Sequence, residues 1–104
     1  RKIFLIMEVI WTETAEKSYY KILEYLNSKW NSKVTNDFID RVENTMSIIQ
    51  NNPNCFEEYT INKKYRKGFI HENVSFYYRI HDNEIVIHLF WNNYQSPQKL
   101  KKIL

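Results

Sequence analysis

Residues 74–91 read VSFYYRIHDNEIVIHLFW, and this stretch decides the fold of the chain. Apolar residues alternate with others on both sides of a polar centre, and such alternation predicts two β-strands. Asp82-Asn83 forms a favourable two-residue turn between them because both side chains tolerate positive φ. The resulting antiparallel hairpin has three core-facing pairs: Ile80 with Ile85, Tyr78 with Ile87, and Phe76 with Leu89.

The opposite face of this hairpin collects polar and ionisable side chains, namely Tyr77, Arg79 and His88. A further strand is predicted at about residues 63–70, just before the hairpin. If the turn at Glu72-Asn73 has an even number of residues, Arg66 of this strand lies directly opposite Arg79. Like charges opposed across a sheet repel each other, so we expect an anion near the two arginines.

Two amphipathic helices precede these strands. The first, at about residues 13–30, has an apolar stripe at spacings of three and four and follows Thr12, a favourable N-cap residue. The second has a similar stripe from Val34 to Ile49 and ends before Pro53. With a short strand before the first helix, the order β-α-α-β-β-β predicts an α+β fold. Its N-terminal strand joins a mainly antiparallel sheet, and the antiparallel helical hairpin covers one face while the other stays open.

Length and composition predict one domain over residues 1–104, in which residues 1–6 are upstream or tag-derived sequence or extend the first strand. Cys55 is the single cysteine, which excludes an internal disulfide and favours the reducing cytoplasm. No segment reaches the roughly 20 apolar residues of a membrane span, so no membrane association is expected. The net charge of +3 favours an acidic partner.

Short motifs with a recognisable order extend along nearly the whole chain. They are Val9-Ile10-Trp11-Thr12 with Ala15, Pro53 after the paired helices, Arg66, Tyr78-Arg79-Ile80, and Asp82 before Ile85 and Ile87. In this order they resemble the RelE/ParE superfamily of type II toxin–antitoxin toxins. The tail from Phe90 to Leu100 is similar to that of a subgroup in which Asp, Asn and Arg follow the Trp. Here Asn92 and Tyr94 replace the Asp and the Arg, and Asn73-Val74 replaces a common His-Tyr.

The resemblance implies a cytoplasmic toxin that a cognate antitoxin neutralises in a toxin–antitoxin hetero-oligomer. RelE-like members cut messenger RNA on the ribosome, whereas ParE-like members poison DNA gyrase without a hydrolytic site. The preferred expectation is an mRNA interferase, a metal-independent endoribonuclease that needs no cofactor. The alternatives are a gyrase poison without nuclease activity and an inactive relic that only binds the antitoxin.

Metal-free RNA cleavage needs a base, a cation at the phosphate and an acid for the leaving oxygen. We expect Arg79 and Arg66, which correspond to two arginines of the family, to clamp the phosphate, and His88 to transfer a proton. The plainer alternatives are structural ion pairs for the arginines and a half-buried polar role for the histidine. Nucleic-acid contacts are expected from Lys64, Lys67, Tyr77 and Tyr94, although edge protection or local packing also accounts for such residues. His71, His81 and Cys55 lack metal-ligand spacing, so no metal site is expected.

Overall fold

The computed structural model describes residues 7–104. Its elements are β1 (Glu8–Trp11), α1 (Glu13–Lys29), α2 (Ser32–Asn51), β2 (Arg66–His71), β3 (Val74–His81), β4 (Glu84–Asn92) and α3 (Pro97–Ile103). The predicted α+β order is therefore confirmed, with a C-terminal helix in addition. The expectations for residues 1–6 lie outside the described residues.

Both long helices begin at side-chain caps. The Thr12 hydroxyl accepts a hydrogen bond from the Ala15 N–H at 3.1 Å, and the Asn31 carboxamide oxygen accepts one from the Val34 N–H at 2.9 Å. These bonds satisfy amide groups that have no partner within the first helical turn. Within residues 7–104, no helix combines the length and apolarity needed to cross a membrane.

The sheet has the strand order β1-β4-β3-β2, in which β1 runs parallel to β4 and the other neighbours are antiparallel. The mainly antiparallel sheet predicted from the sequence is thus confirmed. Asp82 adopts a positive φ of 53° in the tight turn between β3 and β4. As predicted, the core-facing pairs next to this turn are Ile80 with Ile85 and Tyr78 with Ile87.

The third predicted pair, Phe76 with Leu89, is wrong because β4 contains a bulge. Tyr78 pairs with Ile87 while Tyr77 pairs with Leu89, so His88 is the extra residue. An extra residue turns everything beyond it to the opposite face. Phe76 consequently pairs with Phe90 on the helix-covered face.

A second bulge, in β2, overturns the predicted opposition of Arg66 and Arg79. Phe69 pairs with Ser75 and His71 with Val74, which leaves Ile70 as the extra residue. Arg66 therefore pairs with Tyr78. Paired residues share a face, so Arg66 faces the helices instead of the outer face.

The main core lies between the helical hairpin and the inner face of the sheet. It is built by Ala15, Ile22, Phe38, Val42, Ile49, Ile70, Val74, Phe76, Tyr78, Ile85, Ile87 and Phe90. A smaller apolar cluster lies on the outer face, where Leu100 of α3 packs on Tyr77, Leu89 and Trp91. The face expected to be open is therefore covered at one end by the C-terminal helix.

Candidate functional site

Arg79 and His88 lie together on the outer face of the sheet. Arg79 pairs with Val86, and His88 follows Val86 on the same face of β4. Burial lowers the pKa of His88, and the positive charges of Arg79 and Lys64 lower it further. The expected grouping of Arg79, His88 and Tyr77 on one face is confirmed, and His88 is mainly neutral at pH 7.

The His88 side chain borders a small cavity of about 150 Å³. The Tyr65 ring meets the imidazole edge-to-face, with ring centroids 4.9 Å apart. The Thr12 hydroxyl donates to the backbone oxygen of His88 at 3.1 Å, which ties the bulge to the start of α1. Ile103 and Leu104 at the C-terminus also line this cavity.

Three buried polar atoms on this face have no hydrogen-bond partner among the described residues: the Tyr77 hydroxyl, Arg79 Nε and His88 Nε2. Buried polar groups usually have partners, so a cluster of unpaired ones is typical of a site that meets a ligand. The Tyr77 hydroxyl and Arg79 Nε can donate to an anion, whereas Nε2 of neutral His88 donates to an anion or accepts from a hydroxyl group according to its tautomer.

Tyr77 is the least accessible residue of this group. Its side chain is fully buried, and its ring packs edge-to-face on Tyr59 at a centroid distance of 5.0 Å. Burial raises the pKa of its hydroxyl. The predicted contact between Tyr77 and nucleic acid would therefore require the overlying residues to move.

Arg66, expected to join Arg79 at the phosphate, has a different place. Its Nη1 donates to the backbone oxygen of Phe56 at 2.7 Å. The neighbouring Tyr78 hydroxyl donates to the backbone oxygen of Pro53 at 2.7 Å, and burial raises the pKa of Tyr78 to about 12. Both side chains hold the loop that follows α2, so the expected two-arginine clamp is not formed.

The other predicted nucleic-acid contacts are distributed along the outer face. Lys64 lies close enough to His88 to influence its pKa. Lys67 pairs with Tyr77 across the strands, and its Nζ lies 5.4 Å from the Phe69 ring centroid. Tyr94 is 79% exposed in the turn after β4, at the end of the sheet remote from Arg79. The structure brings Lys64 to the candidate site but leaves Tyr94 apart.

Sequence reasoning missed the groups that surround His88. Thr12 was recognised only as a helix cap, yet its hydroxyl also reaches the bulge in β4. The sequence predicted that Tyr65 and Phe69 share a strand face, but no sequence signal placed the Tyr65 ring beside His88. Within residues 7–104, no three His, Cys, Asp or Glu side chains are grouped as metal ligands.

A family model described as the ParE toxin of the type II toxin–antitoxin system, parDE, matches residues 9–91. The chain belongs to the ParE toxin family. The resemblance to the RelE/ParE superfamily is thereby confirmed, and a type II toxin implies an antitoxin partner. The match includes Arg79 and His88 and ends before Tyr94 and α3.

Solved structures from three bacteria have a similar fold. The chromosomal ParDE system from P. aeruginosa has a TM-score of 0.71 at 15% identity, covering 86% of this chain and 98% of that chain. YafQ from E. coli strain BL21(DE3) has a TM-score of 0.58 at 9% identity, covering 85% of this chain and 94% of that chain. The conserved protein HP0894 from Helicobacter pylori has a TM-score of 0.51 at 15% identity, covering 86% of this chain and 98% of that chain. No curated protein matched the sequence. At these identities the structural likeness concerns the fold alone.

Proposed function

We propose that this ParE-family toxin arrests growth by inhibiting DNA gyrase when its antitoxin is absent, without hydrolysing RNA itself. The observation that carries the proposal is the position of Arg66 on the helix side of the sheet, bonded to the Phe56 carbonyl. Without Arg66, the site lacks the second arginine expected at the phosphate, and Lys64 is the cation that lies near His88 together with Arg79.

The remaining groups do not supply a complete acid–base set. His88 has a lowered pKa, so at neutral pH it is better suited to accept a proton than to donate one. Tyr77, which could act as the acid, is fully buried, and burial raises its pKa. Cleavage requires a base, an acid and charge stabilisation around one phosphate. Arg79 and Lys64 can supply the charge and His88 the base, whereas Tyr77 could act as the acid only after the residues that cover it move.

The charge distribution supports binding to a gyrase–DNA complex. The chain carries a net charge of +3, and Lys99, Lys101 and Lys102 are exposed on α3. Positive charge steers a protein towards DNA or an acidic protein surface, independently of any catalytic group.

Cleavage of ribosome-bound messenger RNA is the second candidate, and one observation favours it. The unpaired Tyr77 hydroxyl, Arg79 Nε and His88 Nε2 share one face, as they would if a ribose-phosphate group completed their hydrogen bonds. In this candidate the ribosome would displace the residues that cover Tyr77.

A paired assay separates the candidates: purified toxin is added to gyrase supercoiling reactions and to translating ribosomes. We expect inhibited supercoiling, with cleaved DNA trapped on gyrase, and intact messenger RNA. Toxin saturated with antitoxin is the control, and it should leave both reactions unaffected. Cut messenger RNA with normal supercoiling would overturn the proposal. In that case Arg79→Ala should lower cleavage by about two to three orders of magnitude, since one preorganised cationic donor is lost.

A further inference from the structure

The tip of the helical hairpin exposes one large aromatic side chain between two lysines. Trp30 is the C-cap residue of α1, and its backbone N–H donates to the Leu26 carbonyl at 2.9 Å. The backbone is therefore held, yet 67% of the residue is exposed to solvent. Lys29 and Lys33, the two tip lysines, are also exposed. Tryptophan is enriched at the energetic centres of protein interfaces, so Trp30 is a candidate anchor for a partner.

A pocket of about 590 Å³ lies beside this tip, between the two long helices and the turn that joins β2 to β3. Its apolar lining comes from Leu26, Val34 and Phe38, of which Phe38 is only 3% exposed and belongs to the main core. Trp30 does not line the pocket of its own chain. The volume is within the range of pockets that hold a ligand, so the tip pocket has room for an indole ring from another molecule.

The charges around the tip pocket complement those beside Trp30. Asp37, Arg41 and Glu72 line the pocket, and all three residues are exposed. The ion pairs found in residues 7–104 include neither these three groups nor the tip lysines, so all of them are available to a partner. Two carboxylates at the pocket match two lysines at the tip, and the Arg41 guanidinium can lie over the face of an inserted indole ring.

We propose that two copies of this chain associate through their hairpin tips, each placing Trp30 in the tip pocket of the other. A two-fold axis makes both insertions at once, because a symmetric dimer uses the same patch on both subunits. The occupant is a second copy because the chain itself carries both halves of the contact, the anchor with its lysines and the pocket with its carboxylates. The inference goes beyond the proposed function, since Arg79 and His88 lie on the opposite face of the sheet from the helices.

The contact is small, which sets the strength that we expect. A buried tryptophan removes about 150–250 Å² from solvent, so two of them with the surrounding residues form an interface at the low end of the specific range. Such an interface gives a reversible dimer with a Kd on the order of 10 μM. Sedimentation equilibrium of the full chain from about 1 to 200 μM spans that value and measures it.

Substitution of Trp30 tests the anchor. Trp30→Ser should weaken the dimer about tenfold or more, since it removes the central side chain of the contact. Tyr20→Ser is the matched control because Tyr20 is 60% exposed on the same helix and does not line the pocket. The control should change Kd by less than about twofold. Trp30 has a negative φ of −123°, which serine also adopts, and circular dichroism checks that both variants are folded.

An exchange of charges tests the pairing of tip and pocket. Asp37→Lys and Lys33→Glu each bring like charges together in both halves of the dimer, so each variant alone should dimerise about tenfold more weakly or worse. An equimolar mixture of the two variants should dimerise again, because every such contact in the mixed dimer joins opposite charges. Asp40→Lys reverses an exposed charge of the same helix outside the pocket and should leave the dimer intact.

A wild-type chain that stays monomeric at the highest concentration would overturn the proposal, and so would a mixture of charge variants that fails to associate. Equal weakening by Trp30→Ser and Tyr20→Ser would indicate non-specific apolar association and would also contradict it. If the wild type is monomeric and Trp30→Ser instead weakens antitoxin binding more than Tyr20→Ser does, the tip belongs to the antitoxin. The sedimentation assays contain neither gyrase nor ribosomes, so their outcome does not depend on the toxin's target.

Discussion

Polar side chains on the two faces of the sheet differ in whether they have hydrogen-bond partners. On the inner face, Arg66 and the Tyr78 hydroxyl each donate to a backbone carbonyl of the loop after α2. On the outer face, the Tyr77 hydroxyl, Arg79 Nε and His88 Nε2 have no partner among the described residues. An unpaired buried polar group costs stability, so we infer that the inner face stabilises the fold while the outer face is kept for binding.

Apolar packing is also unequal between the faces. The inner cluster includes residues from both long helices and every strand, whereas the outer cluster is covered by the seven-residue α3. When a contact on the inner face is lost, the long helices and the sheet cannot move enough to fill the space. On the outer face we expect the short α3 to shift when a contact is lost, which limits the cost in stability there.

The largest expected effect on stability comes from truncating one large apolar side chain on each face to alanine. Phe76→Ala should lower the free energy of unfolding by about 3–5 kcal/mol because the space left by the ring lies between the helices and the sheet, where neighbouring side chains cannot fill it. Leu100→Ala should cost about 2 kcal/mol, the low end for such a change, because α3 can partly close the space. Urea denaturation of both variants measures the difference, and equal losses would show that α3 is as firmly packed as the inner core.

Substitution of Arg66 and of Arg79 should give a smaller difference in stability that compares the two faces directly. Arg66→Met leaves the Phe56 carbonyl without its donor and should cost about 1.5 kcal/mol of unfolding free energy. Arg79→Met removes a buried Nε that has no partner, so it should leave the free energy of unfolding unchanged or raise it by up to about 1 kcal/mol. A similar loss in both variants, measured by urea denaturation, would mean that Arg79 also has a structural partner in solution.

The smallest expected effect is a dependence of stability on pH. Burial lowers the pKa of both His71 and His88 from 6.5, so between the lowered values and 6.5 the unfolded chain binds more protons than the folded one. Stability is therefore complete above about pH 6.5 and declines as the pH falls through the folded-state values. Denaturation at pH 7.5 and 5.5 measures the slope.

The two histidines can be separated by substitution. His71 Nδ1 accepts a hydrogen bond from the Asn73 N–H at 3.0 Å, which protonation of that nitrogen would break. His88→Gln and His71→Gln should each reduce the pH dependence, and the double variant should nearly abolish it above pH 5.5. An unchanged slope in the double variant would assign the effect to other groups.

Much of this architecture could be read from the sequence because it depends on local periodicity. The apolar stripes predicted both long helices, Thr12 predicted the start of the first, and Asp82-Asn83 predicted the turn between β3 and β4. The motif order also indicated the toxin superfamily. Of the candidate site, the grouping of Arg79 with His88 followed from alternation along two adjacent strands.

Only the tertiary structure decided which face each side chain occupies beyond the two bulges. Leu89, Phe90 and Trp91 are all apolar, as are Phe69 and Ile70, so each run fits either face and its pattern cannot reveal an extra residue. The choice depends on which ring fills the helix-covered core and which meets α3, a matter of packing between distant parts of the chain. That packing places Arg66 away from Arg79, because shifting a strand by one residue exchanges its two faces.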